Sequence, residues 1–171
     1  MLGCKPVKTP LEVNFVFSRD CDDNSDLIRN ITELQKLLGK LIYLTVTRPD
    51  NSYAVQVLSQ FMHKPRKSHL NVAFRLLRYL KECPGKGVVF SKSNNFDIIG
   101  YVDADWAKCL STRRSVCGYL VYLGSSLISW KSKKQSTVSR SSTESEYRAL
   151  GSVTCEVLWI LKVLSDIGFK I

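Results

Sequence analysis

The chain has 171 residues, 44% of them hydrophobic, with a net charge of +10 and a pI near 9.4. That is a globular composition, enough for one ordinary domain or two small ones, and its basicity points to an anionic partner, nucleic acid first, over a merely basic surface. No apolar run reaches the roughly 18 residues of a membrane span, no CxxC occurs, and the six cysteines form no zinc pattern with His63 and His69.

The scattered cysteines read as free thiols of a reducing compartment. The start, MLGCKPVKTPLEVNF, lacks the apolar core of a secretory signal and carries no folding signal, as expected of a piece of something longer. Residues 1–24 are irregular by pattern, with Pro6, Pro10 and an acidic patch of Asp20, Asp22 and Asp23. Leu27, Ile31, Leu34, Leu38 and Leu41 then recur at helical spacing, with Ser25 or Asn24 as cap. Pro49 stops this helix, and Asp50 opens the next one beside the positive end of its dipole. The second helix puts Ala54, Val57, Leu58 and Phe61 on one face and ends at His63-Lys64-Pro65. A third runs from about Ser68, with Leu70, Ala73, Leu77 and Leu80 inward, to Pro84-Gly85.

After Gly85 the period changes. GVVF (87–90), FDIIGYVDAD (96–105), CGYLVYLG (117–124) and SLISWKSKK (126–134) read as four strands, the last two joined at Gly124-Ser125. From about 143 to 166 the period is helical again, with Tyr147, Leu150, Val153, Val157, Leu161 and Leu164 in one stripe and Gly168 at the C-terminal stop. The expected organisation is an irregular segment (1–24), a three-helix segment (25–84) and a strand-rich α/β (α+β) segment closed by a long helix (85–171).

Two basic runs stand out. Residues 64–92 hold eight Lys or Arg against the single acid Glu82, with Lys64, Arg66, Lys67, Arg75 and Arg78 expected on the open side of the third helix. Residues 107–140 hold Lys108, Arg113, Arg114, Lys131, Lys133, Lys134 and Arg140 and no acid at all. Phosphate contact needs such charge, and stacking on bases needs rings such as Trp106, Tyr119, Tyr122 and Trp130; strand aromatics more often pack in a core.

Two acidic pairs interrupt this basic half: Asp103 with Asp105 at a strand end, and Glu144 with Glu146 at a helix start. Ser141-x-x-Glu144 and Thr143-x-x-Glu146 both fit a capping box, and a strand-to-loop turn accounts for the aspartates. The other reading is metal chemistry. A strand-end aspartate and a first-turn glutamate over the same sheet can share a hard divalent cation with substrate phosphate oxygens.

YVDADWA, then TRRSVCGYLVYLG, then SLISWKSKKQSTVSRSSTESEYRAL resembles the ribonuclease H domain of copia-type (Pseudoviridae-like) plant retrotransposon polyproteins. Upstream, LGCKPVKTPLE and LLGKLIYLTVTRPDNSYAVQVLSQFMHKPRKSHLNVAFRLLRYLK resemble the segment that joins reverse transcriptase to that domain. The resemblance implies a reverse transcriptase thumb- or connection-like helical segment over 25–84, followed by a ribonuclease H-like sheet. Its activity would be two-metal hydrolysis of RNA in RNA·DNA hybrids with Mg²⁺ or Mn²⁺, with no small-molecule cofactor and no membrane.

The matching metal-binding, catalytic positions are Asp103 and Glu146, with Asp105 and Glu144 as neighbours. Arg75, Arg78, Arg113, Arg114, Lys131, Lys133 and Lys134 are the implied nucleic-acid contacts. The family's third aspartate, on a fourth strand, and a further acid have no match before Ile171, and Asp166 lies about 30 Å along the helix from Glu146. The resemblance therefore implies a truncated, degenerate copy with lost or weak nuclease activity, whose sheet lacks its later strands and offers an edge for self-association. Three readings compete: an active nuclease completed by another chain, a binding module, and a remnant without a role. By family analogy the setting is intracellular, cytoplasm or nucleus.

Overall fold

The computed structural model describes residues 3–12, 15, 28, 30–92 and 95–169. The predicted caps Ser25 and Asn24, the acidic patch and Leu27 lie outside them. The chain divides into two units, residues 1–88 and 89–171. Among the described residues no helix is long and apolar enough to cross a membrane.

In the first unit, α1 spans Ile31–Leu44, and Leu34, Leu38 and Leu41 are buried as their spacing predicts. Its cap is Asn30, whose side chain accepts from the Glu33 N–H at 3.4 Å. A 3-10 turn, Pro49–Asn51, leads into α2, Ser52–Ser59, and α3 spans Lys67–Glu82. α2 buries Ala54, Val55 and Leu58. On α3 the buried positions are His69, Val72, Ala73 and Leu76. The expected face is thus rotated by about one residue: Ala73 is shared, while Leu70, Leu77 and Leu80 pack at its margin.

A buried ion pair ties α3 to the turn. Arg48, 3% exposed, donates from Nη2 to Asp50 Oδ2 at 2.8 Å and from Nη1 to the Cys83 carbonyl at 3.0 Å. The Tyr79 hydroxyl donates to the same Asp50 oxygen at 2.7 Å. Burial pushes the Asp50 carboxyl up, but the hydrogen bonds from Arg48 and Tyr79 outweigh it and hold it below its usual range. His69 Nδ1 accepts from the Arg66 N–H at 2.8 Å, and its ring stacks on Phe61 with centroids 4.3 Å apart.

In the second unit β1 (Ile98–Asp105), β2 (Val116–Leu123) and β3 (Ser126–Lys134) form an antiparallel sheet in the order β1-β2-β3. Gly124, at φ +56°, supplies the left-handed residue of the β2–β3 turn. The run 87–90 is not a strand. Val88 donates one backbone bond, to the Thr47 carbonyl, and Val89 and Phe90 are exposed. Apolar content there finds no partner strand among the described residues. The outer edge of β1 likewise carries no strand among them.

α4 spans Ser142–Asp166 and lies over β1 and β2. Its buried line is Ser145, Ala149, Val153 and Ile160. Val153 and Ile160, with Val157 and Leu164 partly buried, pack on Ile98, Val102, Tyr119, Val121 and Ile128. The expected stripe needs correction at three positions, since Tyr147, Leu150 and Leu161 are exposed. α4 carries two overlapping apolar lines, and the sheet takes the one that is small at its N-terminal end. Close approach decides this. A Cβ on Gly100 would stand 3.0 Å from Val153 Cγ2.

Two tests follow from this packing. Gly100→Val should lower stability by about 1–3 kcal/mol in chemical denaturation. Gly100→Val combined with Val153→Ala should cost less than the two single changes added together. In the first unit, burial and then Arg66 push the His69 imidazole down to about 4. The unfolded chain takes up that proton near pH 6.5. Stability should therefore fall as pH drops from about 6.5 towards 4, by on the order of 3 kcal/mol at most, and His69→Gln should flatten that part of the profile.

Candidate nucleic-acid interface

The two candidate ligands sit on neighbouring elements. Asp103 is on β1, opposite Gly118 of β2, and is exposed. Strand alternation puts it with Tyr101 and Asp105, on the face opposite Gly100, Val102 and Ala104. Glu146 is in the first turns of α4. It lines a shallow cavity of about 440 Å³ with Val102, Ser142, Thr143, Tyr147 and Leu150. The start of α4 thus lies against the residue that precedes Asp103.

The four acids differ in what holds them. Asp105 forms an ion pair with Lys108 at 3.5 Å. Glu144 is the helix cap that the capping-box pattern allows. Its N–H donates to the N-cap Ser141 Oγ at 3.1 Å, and its Oε2 accepts from the Arg140 N–H at 2.7 Å. Its Oε1 accepts from Arg148 Nε at 3.0 Å and Nη2 at 2.8 Å. The Arg140 N–H and then Arg148 hold this carboxyl below its usual range. Asp103 and Glu146 make no ion pair or side-chain hydrogen bond among the described residues. Glu156, further along α4, accepts from Ser129 Oγ at 2.6 Å. Burial, and then Glu156, push the Tyr119 phenol up to about 12.

Carboxylate pairs suit a hard divalent cation. Among the described residues, however, no three His, Cys, Asp or Glu side chains come together as a metal site.

The basic residues divide by unit. Arg75 and Arg78 were expected on the open side of α3 and are instead engaged with the N-terminal segment. Arg75 reaches Glu12 Oε1 and Thr9 Oγ1, each at 3.0 Å, and Arg78 Nε donates to the Lys5 carbonyl at 2.6 Å. Arg113 and Arg114 sit in the loop after β1. Arg113, at φ +52°, closes it through its N–H to the Cys109 carbonyl, and the Cys109 N–H donates to the Arg114 carbonyl at 3.1 Å. Lys131, Lys133 and Lys134 lie on β3. Of the interleaved rings, Tyr119 is core, Tyr122 packs edge-on against Tyr101, and the Trp106 indole donates to the Ser139 carbonyl at 2.9 Å.

Two features were not anticipated. The Glu144–Arg148 pair was legible in its i,i+4 spacing. Cys109 was not, because its partner Lys134 is remote in sequence and meets the sulfur at 3.6 Å only through the fold. Burial raises the Cys109 thiol, but hydrogen bonds with Ser111 and Thr112 and the charge of Lys134 outweigh it and bring it down to about 6.

No family model matches the chain, and no solved structure matches it. Curated relatives do. The chain is 43% identical over all 171 residues to the retrovirus-related Pol polyprotein from transposon RE1 of Arabidopsis thaliana, and covers 12% of it. It is 36% identical, over 98% of its length, to the retrovirus-related Pol polyprotein from transposon TNT 1-94 of Nicotiana tabacum, and covers 13% of that. Over its whole length the chain is thus similar to a segment of retrovirus-related Pol polyproteins of plant transposons, and it spans about an eighth of their length. The chain is also similar to most of a shorter protein, the secreted RxLR effector protein 161 of Plasmopara viticola. The identity there is 44% over 134 residues, 78% of the chain and 94% of that protein.

One property of the chain is directly measurable. Alkylation of Cys109, followed by mass spectrometry against pH, should reach half its limiting rate near pH 6. Lys134→Gln should move that midpoint upward, because the thiolate loses its neighbouring charge.

Proposed function

We propose that residues 89–171 are a ribonuclease H-like portion of a copia-type polyprotein, and that by themselves they bind RNA·DNA hybrid more than they cut it. Residues 25–84 are then the helical end of the reverse transcriptase portion. The observation that carries this reading is the apposition of β1 and α4. It brings Glu146 beside Val102, the residue before Asp103, and neither of these two acids is occupied by an ion pair or side-chain hydrogen bond among the described residues. The antiparallel three-stranded sheet and the helix that follows it agree with the resemblance in element order. Whole-length similarity to Pol polyproteins supports a retroelement origin.

In this reading Asp103 and Glu146 would hold Mg²⁺ or Mn²⁺, which when bound would activate water toward a phosphodiester. The chain's own part is to present those carboxylates and to grip the backbone with bases. A binding module without any nuclease ancestry is the second reading, favoured by the acid-free basic run 107–140.

Purified chain mixed with labelled RNA·DNA hybrid should bind it at low salt, with affinity falling steeply as salt rises. Cleavage in Mg²⁺ or Mn²⁺ should stay near the protein-free level. Cutting that disappears in Asp103→Asn and Glu146→Gln would show a working metal site and refute the binding-only part. Absence of binding at low salt would refute the whole reading.

A further inference from the structure

A groove of about 340 Å³ lies on the flank of α4 away from Glu146, and nothing above assigns it. Its walls include Lys131 and Lys133 from β3, Arg148 from α4, and Tyr119, Gln135 and Thr137. No carboxylate lines it among the described residues. Lys131 and Lys133 are exposed, and neither amino group has an ion-pair partner among those residues. We infer that this groove seats the phosphodiester backbone of a nucleic-acid strand, with Lys131, Lys133 and Arg148 as its phosphate contacts. The inference rests on the nucleic-acid reading above and names the surface that does the gripping.

The geometry of the groove favours a strand over a single anion. Lys131 is paired with Tyr119, and Lys133 with Cys117, so alternation puts both lysines on the side of the sheet that α4 covers. Two residues along a strand advance about 6.7 Å. That is close to the step between successive phosphates of a nucleic-acid strand. Arg148 faces this row from across the groove. Glu144 engages Nε and Nη2, which fixes the plane of the guanidinium and leaves the rest of the fork for an anion. Gln135 closes one end. Its N–H donates to the Ser115 carbonyl at 2.8 Å and its Nε2 to the Ser145 carbonyl at 2.9 Å, so β3 and α4 are tied where the groove begins. The cations therefore sit on a fixed frame and not on a loose loop.

The test is lysine acetylation of the whole chain with and without RNA·DNA hybrid, read residue by residue by mass spectrometry. Hybrid should protect Lys131 and Lys133 at least about fivefold more than Lys40 and Lys86. In parallel, Lys131→Gln with Lys133→Gln should lower hybrid affinity about tenfold or more. It should also reduce the slope of log affinity against log salt by about 2. Lys40→Gln with Lys86→Gln removes the same charge and should change affinity less than about twofold. Arg148→Ala added to the groove pair should remove a further several-fold. Thermal melting of each variant guards against loss of fold. Hybrid bound with even protection, or equal losses from the two lysine pairs, would overturn the groove while leaving the nucleic-acid reading standing. No binding at low salt would overturn both.

Discussion

The contact on which the second unit depends is the close seating of α4 on β1 and β2. It is possible because Gly100 has no side chain where Val153 arrives, and because α4 presents Ser145 and Ala149 at its N-terminal end. A larger residue at either place would lift the helix start from the sheet. The seating also fixes rotation. With Ser145 and Ala149 inward, Glu146 and Arg148 project about 80° to either side of the contact line. One flank then meets the end of β1, where Val102 and Asp103 are. The other meets β3, where Lys131 and Lys133 are.

The helix thereby acts as a partition. Its body is about 10 Å across, and it stands between the uncommitted Glu146 and a row of bases. Were the bases on that flank, they would pair with Glu146 and silence it. The acids that do lie within reach of bases are spent locally: Glu144 on Arg148 and the helix cap, Asp105 on Lys108. The capping glutamate also answers the positive end of the helix dipole, so Glu146 is not needed for that purpose.

Much of this was readable from residue patterns, and the failures share one cause. The leucines of α1 and the hairpin about Gly124 have a single plausible register, so local spacing sufficed. α4 has two apolar lines, and spacing cannot choose between them. The choice came from the sheet, which accepted the line that is small at one end. α3 was misread by one residue because His69 and Val72 were passed over in favour of leucines at the margin. The run 87–90 has strand composition but no strand to pair with among the described residues. The acid pair was legible only as alternatives, cap or ligand. The fold divides the pair between the two roles, giving the cap to Glu144 and leaving Glu146 open.

The same distinction applies to charge. A net charge of +10 suggests a basic surface everywhere, but charge that holds the fold together is not charge available to a partner. Arg48 is buried against Asp50, and Arg75 and Arg78 fasten the N-terminal segment to α3. Removing them would weaken the fold before it weakened any grip. On β3 the lysines have the opposite character: extended backbone presents them at regular intervals, and the helix opposite contributes an arginine already held in plane. Preorganised cations lose little freedom when a phosphate arrives. Position on the fold, more than the number of bases, therefore decides where this chain offers charge to an anionic partner.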